Sequence, residues 1–177
     1  MERSKFKDIK YFNEYDNWGN IDKVSEQLVK TLDNLQSRLP SAFKILIAPN
    51  KDSVYKEIDK NNKNTKDILH NMGLAAKIFV SGSKLLTFMN MLQLPEIGNI
   101  TIYPYDKWVE KKLICSFDID IRTYNHKKKS KTIDYVDEEG NIFNCSSNYI
   151  NLCELIDLLL YIDCNKVKDD LTNLGVR

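Results

Sequence analysis

The segment that most constrains the fold is a run of eight residues in which apolar and polar side chains alternate. Cys115, Phe117, Ile119 and Ile121 alternate with Ser116, Asp118, Asp120 and Arg122. Because successive side chains of a β-strand point to opposite faces of its sheet, this run has one apolar face and one polar face. The pattern predicts a strand over 112–124, in a sheet that is packed on one side and polar on the other.

Patterns on either side of this strand predict an α+β domain. Apolar residues three and four apart predict helices over 21–39, 52–60, 65–72 and 83–92, with Asn20 as the first N-cap, and a last helix after Ser147. Further strands are expected at 43–48, 75–80, 99–104, 132–136 and 142–145. The order of these elements predicts a mixed or antiparallel sheet with helices packed on one face.

Three of these elements carry more specific expectations. The helix over 83–92 is apolar nearly all round, so we expect it to be central. The strand over 132–136 should pair back on 112–124 through a hairpin tip at 126–131. Residues 1–19 show no periodicity and are expected to be an irregular arm of a single domain that spans 1–177.

Composition narrows the function classes. With 26 basic and 25 acidic side chains the net charge is +1, which gives no general case for binding nucleic acid. The four cysteines lack C-x-x-C spacing, and with two histidines they do not indicate a zinc site. The abundance of Asn, Lys and Ile suggests an AT-rich genome, such as that of a low-GC bacterium, a virus or a mobile element.

The apolar stretches are too short for a membrane. The longest, 158–162, falls far below the roughly 20 residues that a membrane-spanning helix needs. The polar start of the chain does not resemble a secretion signal. We therefore expect a cytoplasmic protein without membrane partners.

Two aspartates on the polar face of the 112–124 strand suggest chemistry. Asp118 and Asp120 are two positions apart, so their carboxylates stand side by side, about 7 Å apart. Two anions held there repel one another unless a cation lies between them, and Mg²⁺ is a suitable occupant. A second feature is the Gly82-Ser83 turn, where a strand ends and a helix begins. Small residues at a helix N-terminus allow backbone N–H groups to approach a phosphate.

Over residues 75–137 these features resemble the polymerase-β-like nucleotidyltransferase superfamily, including its small antibiotic and abortive-infection members. Gly82 and Ser83 match the family's turn, and Asp118 and Asp120 match its paired acids. Asp134, on the following strand, matches its third carboxylate. The resemblance implies a nucleotidyltransferase-like fold that moves a nucleoside monophosphate from an NTP to an unknown acceptor. It further implies that Asp118 and Asp120 bind Mg²⁺, that Asp134 assists and that Gly82 and Ser83 hold phosphate.

Simpler interpretations of the same residues remain open. Asp118 and Asp120 can be the solvated face of a strand, and Ser83 can simply cap a helix. The chain would then be a non-enzymatic protein-binding module, such as an immunity protein, an antitoxin or an accessory protein of a virus or mobile element. A third hypothesis is RNA binding through Lys127, Lys128 and Lys129 at the hairpin tip.

Overall fold

The computed structural model describes residues 5–48, 54–55, 65–109, 112–121 and 131–173. In these ranges a 3₁₀ turn at Ile21–Lys23 precedes four helices and six strands. They are α1 Glu26–Ser37, β1 Ile45–Ile47, α2 Thr65–Asn71, β2 Ala75–Val80, α3 Lys84–Gln93, β3 Ile97–Val109, β4 Lys112–Ile121, β5 Thr132–Val136, β6 Ile142–Asn144 and α4 Tyr149–Asn173. The helix predicted over 52–60 lies mostly outside the described residues.

The six strands form one mixed sheet in the order β1-β2-β4-β3-β5-β6. Every neighbouring pair is antiparallel except β3 and β5, which run parallel. The predicted α+β class with a mixed sheet is confirmed.

The pairing predicted for the strand over 132–136 is wrong. This strand, β5, pairs with β3 and not with β4. Both edges of β4 are already occupied, by β2 on one side and β3 on the other. The free edge of β3 is therefore the place where β5 joins the sheet, and β5 runs parallel to it.

One face of the sheet is apolar and carries the core. The strand residues on this face are at most 3% exposed: Ile78, Ile100, Ile102, Cys115, Phe117, Ile119 and Ile121. Side chains of α1, α3 and α4 join them in a single cluster: Leu28, Leu32, Leu35, Phe88, Met91, Leu155 and Leu159. Each fully buried side chain of this size stabilises the fold by about 1.5–3 kcal/mol. The predicted alternation of β4 is confirmed, and α1, α3 and α4 pack on this one face of the sheet.

Helix boundaries depend on local hydrogen bonds that the periodicity alone did not locate. Ser25, not Asn20, caps α1, because the Ser25 hydroxyl accepts the backbone N–H of Gln27. Asn148, not Ser147, caps α4 through its side-chain oxygen, which accepts the N–H of Ile150 at 3.0 Å. Helix α1 therefore begins five residues later than predicted, and helix α4 begins one residue later.

The N-terminal arm, so far as it is described, is irregular but firmly packed. Phe12 and Trp18 are 6% and 1% exposed and belong to the core. The ammonium of Lys5 donates to the carbonyl oxygens of Ile21, Asp22 and Val24 at 2.7–2.9 Å. These contacts attach the arm to the segment that leads into α1.

The sequence predicted that helix α3 is central, because it is apolar nearly all round. In the structure one side of α3 is exposed. Phe88 and Met91 are fully buried, but Leu86 is 40% and Met89 is 44% exposed. The core covers only the side of α3 that faces the sheet. No helix in the described part of the chain combines the length and apolarity needed to cross a membrane.

Candidate functional site

The three predicted carboxylates lie on the polar face of the sheet. Asp118 of β4 is directly opposite Thr101 of β3, and Thr101 is opposite Asp134 of β5. Residues directly opposite one another share a face, and neighbouring strands are about 4.8 Å apart. Asp118 and Asp134 are therefore about 10 Å apart at the backbone, with the side chain of Thr101 between them. Asp120 follows on the same face, opposite Asn99.

A small pocket lies beside Asp118 and Asp120. Its volume is about 10 Å³, and it is lined by Leu69, His70, Ala75, Asn99, Asp118, Ile119 and Asp120. A space of this size has room for about one water molecule. It does not accommodate a nucleotide in the described conformation.

His70 is a partner of Asp118 that the sequence did not reveal. Its Nε2 lies 3.2 Å from Oδ1 of Asp118, and its Nδ1 lies 3.0 Å from the carbonyl oxygen of Val54. Both ring nitrogens thus face oxygen acceptors, so both contacts are satisfied together only when the pair holds one additional proton. Asp118 is 48 positions from His70, and only the packing of α2 beside β2 brings the two together.

The described donors do not complete a magnesium site. Asp134 is set apart from the other two acids, and its Oδ1 accepts a hydrogen bond from Asn144 Nδ2 at 2.8 Å. No group of three or more His, Cys, Asp or Glu side chains, among the residues that are described, lies close enough together to hold a metal ion. Mg²⁺ prefers six oxygen ligands. Asp118 and Asp120 would offer it two carboxylates.

The Gly82-Ser83 turn begins α3 as predicted, but its N–H groups bind a carboxylate of the chain itself. Oδ1 of Asp163 accepts the backbone N–H of Lys84 at 2.8 Å, and Oδ2 accepts that of Leu85 at 3.2 Å. The Ser83 hydroxyl donates to Oδ2 of Asp163 at 2.6 Å and accepts the N–H of Leu86. Asp163 therefore occupies the position where the resemblance placed a phosphate.

The glycine at this turn has a steric role. A Cβ on Gly82 would lie 2.1 Å from Cγ of the Phe43 ring, well inside contact distance. The ammonium of Lys84 is buried and donates to the carbonyl oxygens of Val80 and Gly82 at 2.8 and 2.6 Å. The absence of a side chain at Gly82 thus allows Phe43 to pack against the turn.

The turn and the acids lie toward opposite ends of β2. Asp118 is opposite Lys77, and Gly82 follows Lys77 by five residues. At about 3.3 Å per residue, the part of the strand from Lys77 to its end at Val80 already separates the turn from Asp118 by about 10 Å. The structure groups Asp118, Asp120 and Asp134 on one face, but it does not bring Gly82 and Ser83 to them.

A second candidate site is apolar and lies on the outer surface of α3 and α4. We call it the α3–α4 strip: Leu86 and Met89 on α3, and Leu160 and Tyr161 on α4, which are 40–63% exposed. The two helices pack against each other. Leu160 lies one turn before Asp163, whose carboxylate contacts the first turn of α3. Leu160 is therefore within one turn of the contact between the two helices.

Comparison of the chain with protein-family models, curated proteins and solved structures finds no match. The resemblance to nucleotidyltransferases stays a prediction from the residues quoted above. The lysines of the RNA-binding hypothesis, Lys127, Lys128 and Lys129, and also Arg122, lie outside the described residues.

Proposed function

We propose that the chain is a non-enzymatic protein-binding module and that the α3–α4 strip contacts its partner. The observation that supports this most is the exposure of Leu86 and Met89, on a helix whose sequence is apolar nearly all round. Helices of that composition are normally covered on every side, and grouped exposed apolar side chains mark interaction surfaces. A partner would cover the side of α3 that the core does not.

The turn at the start of α3 also supports this proposal. Nucleotide transfer through the predicted residues would need the turn to grip phosphate beside the acids. Asp163 already accepts the N–H groups of the turn, and the turn lies beyond the end of β2, at least about 10 Å from Asp118. An internal carboxylate at this position stabilises the packing of α4 on α3, and that packing forms the proposed binding surface.

The proposed surface has the composition of an interface core. Burying a Leu or Met side chain completely contributes about 1.5–3 kcal/mol, so covering the exposed parts of Leu86, Met89 and Leu160 contributes several kcal/mol, to which Tyr161 adds. A stable interface buries about 800 Å² on each partner, which is more than four residues provide. Exposed polar residues of α4 such as Asp157, one turn before Leu160, would form part of its rim.

The cytoplasm is the compartment that we propose for this module. The four cysteines are all free, and Cys164 is exposed on α4 close to the strip. Reducing conditions keep such a thiol from forming disulfides.

Site-specific photocrosslinking tests the proposal. A benzophenone side chain is placed at Met89, in the strip, and at Tyr15, which is 87% exposed on the N-terminal arm. In the cells from which the chain derives, we expect a discrete crosslinked protein with the Met89 probe and a much weaker product with the Tyr15 probe. Equal products at both positions, or none at Met89, would contradict the proposal.

Metal-dependent nucleotidyl transfer is the second candidate function. It is favoured by one observation: Asp118, Asp120 and Asp134 share a face of the sheet. We propose Mg²⁺ and an NTP as the cofactor and substrate of that activity. Incubation with labelled NTPs, Mg²⁺ and a range of acceptors tests it, with Asp118→Asn as the variant that must abolish any transfer. Transfer that survives Asp118→Asn would exclude these acids as its catalytic residues.

A further inference from the structure

We infer that the chain self-associates through β6, whose free edge pairs antiparallel with β6 of a second copy across a two-fold axis at Ile142. β6 ends the sheet on one side, and β1 ends it on the other. Pairing of two β6 strands would join two six-stranded sheets into one continuous sheet. This contact is separate from the α3–α4 strip and does not depend on the proposed function.

The backbone of β6 shows which groups are available at this edge. Cys145 donates its N–H to the carbonyl oxygen of Ile133, next to β5, at 2.8 Å. Because bonded and non-bonded residues alternate in an antiparallel ladder, Ile142 and Asn144 direct their N–H and C=O groups away from β5. The C=O of Asn144 accepts the side-chain amide of Asn151 at 2.9 Å. Within the described part of the chain, no hydrogen bond reaches the N–H or the C=O of Ile142.

The opposite edge of the sheet is closed by side chains, which sets β6 apart. Ile45 and Ile47 of β1 direct their backbone groups away from β2 in the same way. The N–H of Ile45 donates to Oε1 of Gln36 at 2.6 Å, and the C=O of Ile47 accepts Nδ2 of Asn17 at 3.4 Å. Proteins commonly block the edges of their sheets, because an open edge pairs with other strands. At β6 the edge is open and the Ile142 side chain is 64% exposed.

The edge of β6 is self-complementary, which favours a second copy as its occupant. Ile142 offers one N–H and one C=O, so two copies related by a two-fold axis at this residue exchange two hydrogen bonds. Asn144 of one copy would then lie opposite Gly140 of the other. In each copy the C=O of Asn144 and the N–H of Gly140 are already bonded internally. This register therefore leaves neither of these two groups unpaired.

The charges at the two ends of β6 favour the antiparallel arrangement. The turn before β6 contains the consecutive acidic residues Asp137, Glu138 and Glu139, and α4 begins shortly after β6, at Tyr149. A parallel pairing would bring the acidic turns of the two copies together, which is unfavourable. An antiparallel pairing keeps them at opposite ends of the contact. Each turn then lies toward the N-terminal end of α4 of the other copy, where negative charge is favourable.

Charge-swap variants at Ile142 test the inference. The side chain is exposed, so Ile142→Lys and Ile142→Glu should leave the fold intact. At the two-fold axis each variant places like charges directly opposite one another, which destabilises a pair of strands. Sedimentation equilibrium of the unchanged chain should show a dimer with a dissociation constant on the order of 0.1 mM, because the contact is smaller than that of a stable dimer. Each variant alone should dimerise about tenfold more weakly, and an equal mixture of the two should dimerise again.

Ile142→Pro tests the two backbone hydrogen bonds. The N–H of Ile142 points away from β5, so proline removes the donor of the intermolecular pair and leaves the ladder to β5 in place. Dimerisation should weaken about tenfold or more. Ile142→Val keeps the N–H and is the matched control, which should dimerise like the unchanged chain. Nitrogen-15 NMR spectra establish that each variant is folded, and the charge-swap pair decides the matter if the proline variant is not.

The other outcomes contradict the inference. A chain that stays monomeric at millimolar concentration would overturn it, and so would a mixture of the charged variants that dimerises no better than either variant alone. A dimer that persists in Ile142→Pro but is dissociated by Met89→Lys would place self-association on the α3–α4 strip, and would also overturn it. The photocrosslinking test of the proposed function does not depend on whether β6 pairs.

Discussion

Removal of the Asp163 carboxylate should weaken the attachment of α4 to α3 and lower the free energy of unfolding. This half-buried carboxylate accepts the N–H groups of Lys84 and Leu85 and the hydroxyl of Ser83. A hydrogen bond to a charged group contributes about 1.5–3 kcal/mol, but water can reach a half-buried site and replace part of it. A carboxylate at a helix N-terminus adds up to about 2 kcal/mol. We therefore expect Asp163→Ala to destabilise the fold by about 2–4 kcal/mol.

Urea unfolding of three variants measures this effect. Asp163→Asn keeps one acceptor oxygen but loses the charge, so its cost should be about half that of Asp163→Ala. Asp157→Ala is the matched control, because Asp157 is exposed on the same helix, and it should change stability by less than about 0.5 kcal/mol. If Asp163→Ala costs no more than Asp157→Ala, Asp163 does not hold the start of α3 and our interpretation of the turn is wrong.

Further predictions concern three other positions, each measured by urea unfolding. Gly82→Ala should lower the free energy of unfolding by about 1–3 kcal/mol, because the added Cβ would overlap the Phe43 ring. Adding Phe43→Leu to this variant should restore part of the lost stability. Gly73→Ala should lower the free energy of unfolding more than Gly140→Ala does. Both glycines have positive φ, but only at Gly73 would a Cβ overlap a backbone carbonyl oxygen, at 2.1 Å. Equal losses of stability would contradict this steric argument. Burial raises the pKa of Cys145 from 9.0 to about 11, so the unfolded chain loses this proton first and stability falls as pH rises through this interval. The loss amounts to about 2–3 kcal/mol, and Cys145→Ala should show a correspondingly weaker pH dependence between pH 9 and 11.

Features of the fold that depend on local sequence were predictable. The alternation around Asp118 identified β4 and its two faces, because side-chain direction in a strand follows directly from sequence position. Gly73, with φ of 65°, ends α2 as expected, and Ser83 caps α3 as the simpler interpretation of the turn had it. Each of these depends on residues within a few positions of one another.

Features that depend on distant residues were not predictable from one sequence. The contact of Asp163 with Ser83 joins residues 80 positions apart, and no spacing rule identifies it. The pairing of His70 with Asp118 depends on how α2 packs beside the sheet. The parallel pairing of β5 with β3 required knowing that β4 was already paired on both edges. Hydrophobic periodicity specifies which face of an element is buried, but not which element covers it.

The separation of the α3 turn from the carboxylates can be tested directly by titrating Mg²⁺ and ATP into the nitrogen-15-labelled chain. If the chain is a protein-binding module and Asp163 occupies the turn, the amide signals of Gly82 and Ser83 should not shift saturably along with those of Asp118 and Asp120. Saturable shifts at both groups, at one nucleotide per chain, would mean that a single pocket connects them. That result would contradict the proposed function and restore nucleotidyl transfer as the better explanation.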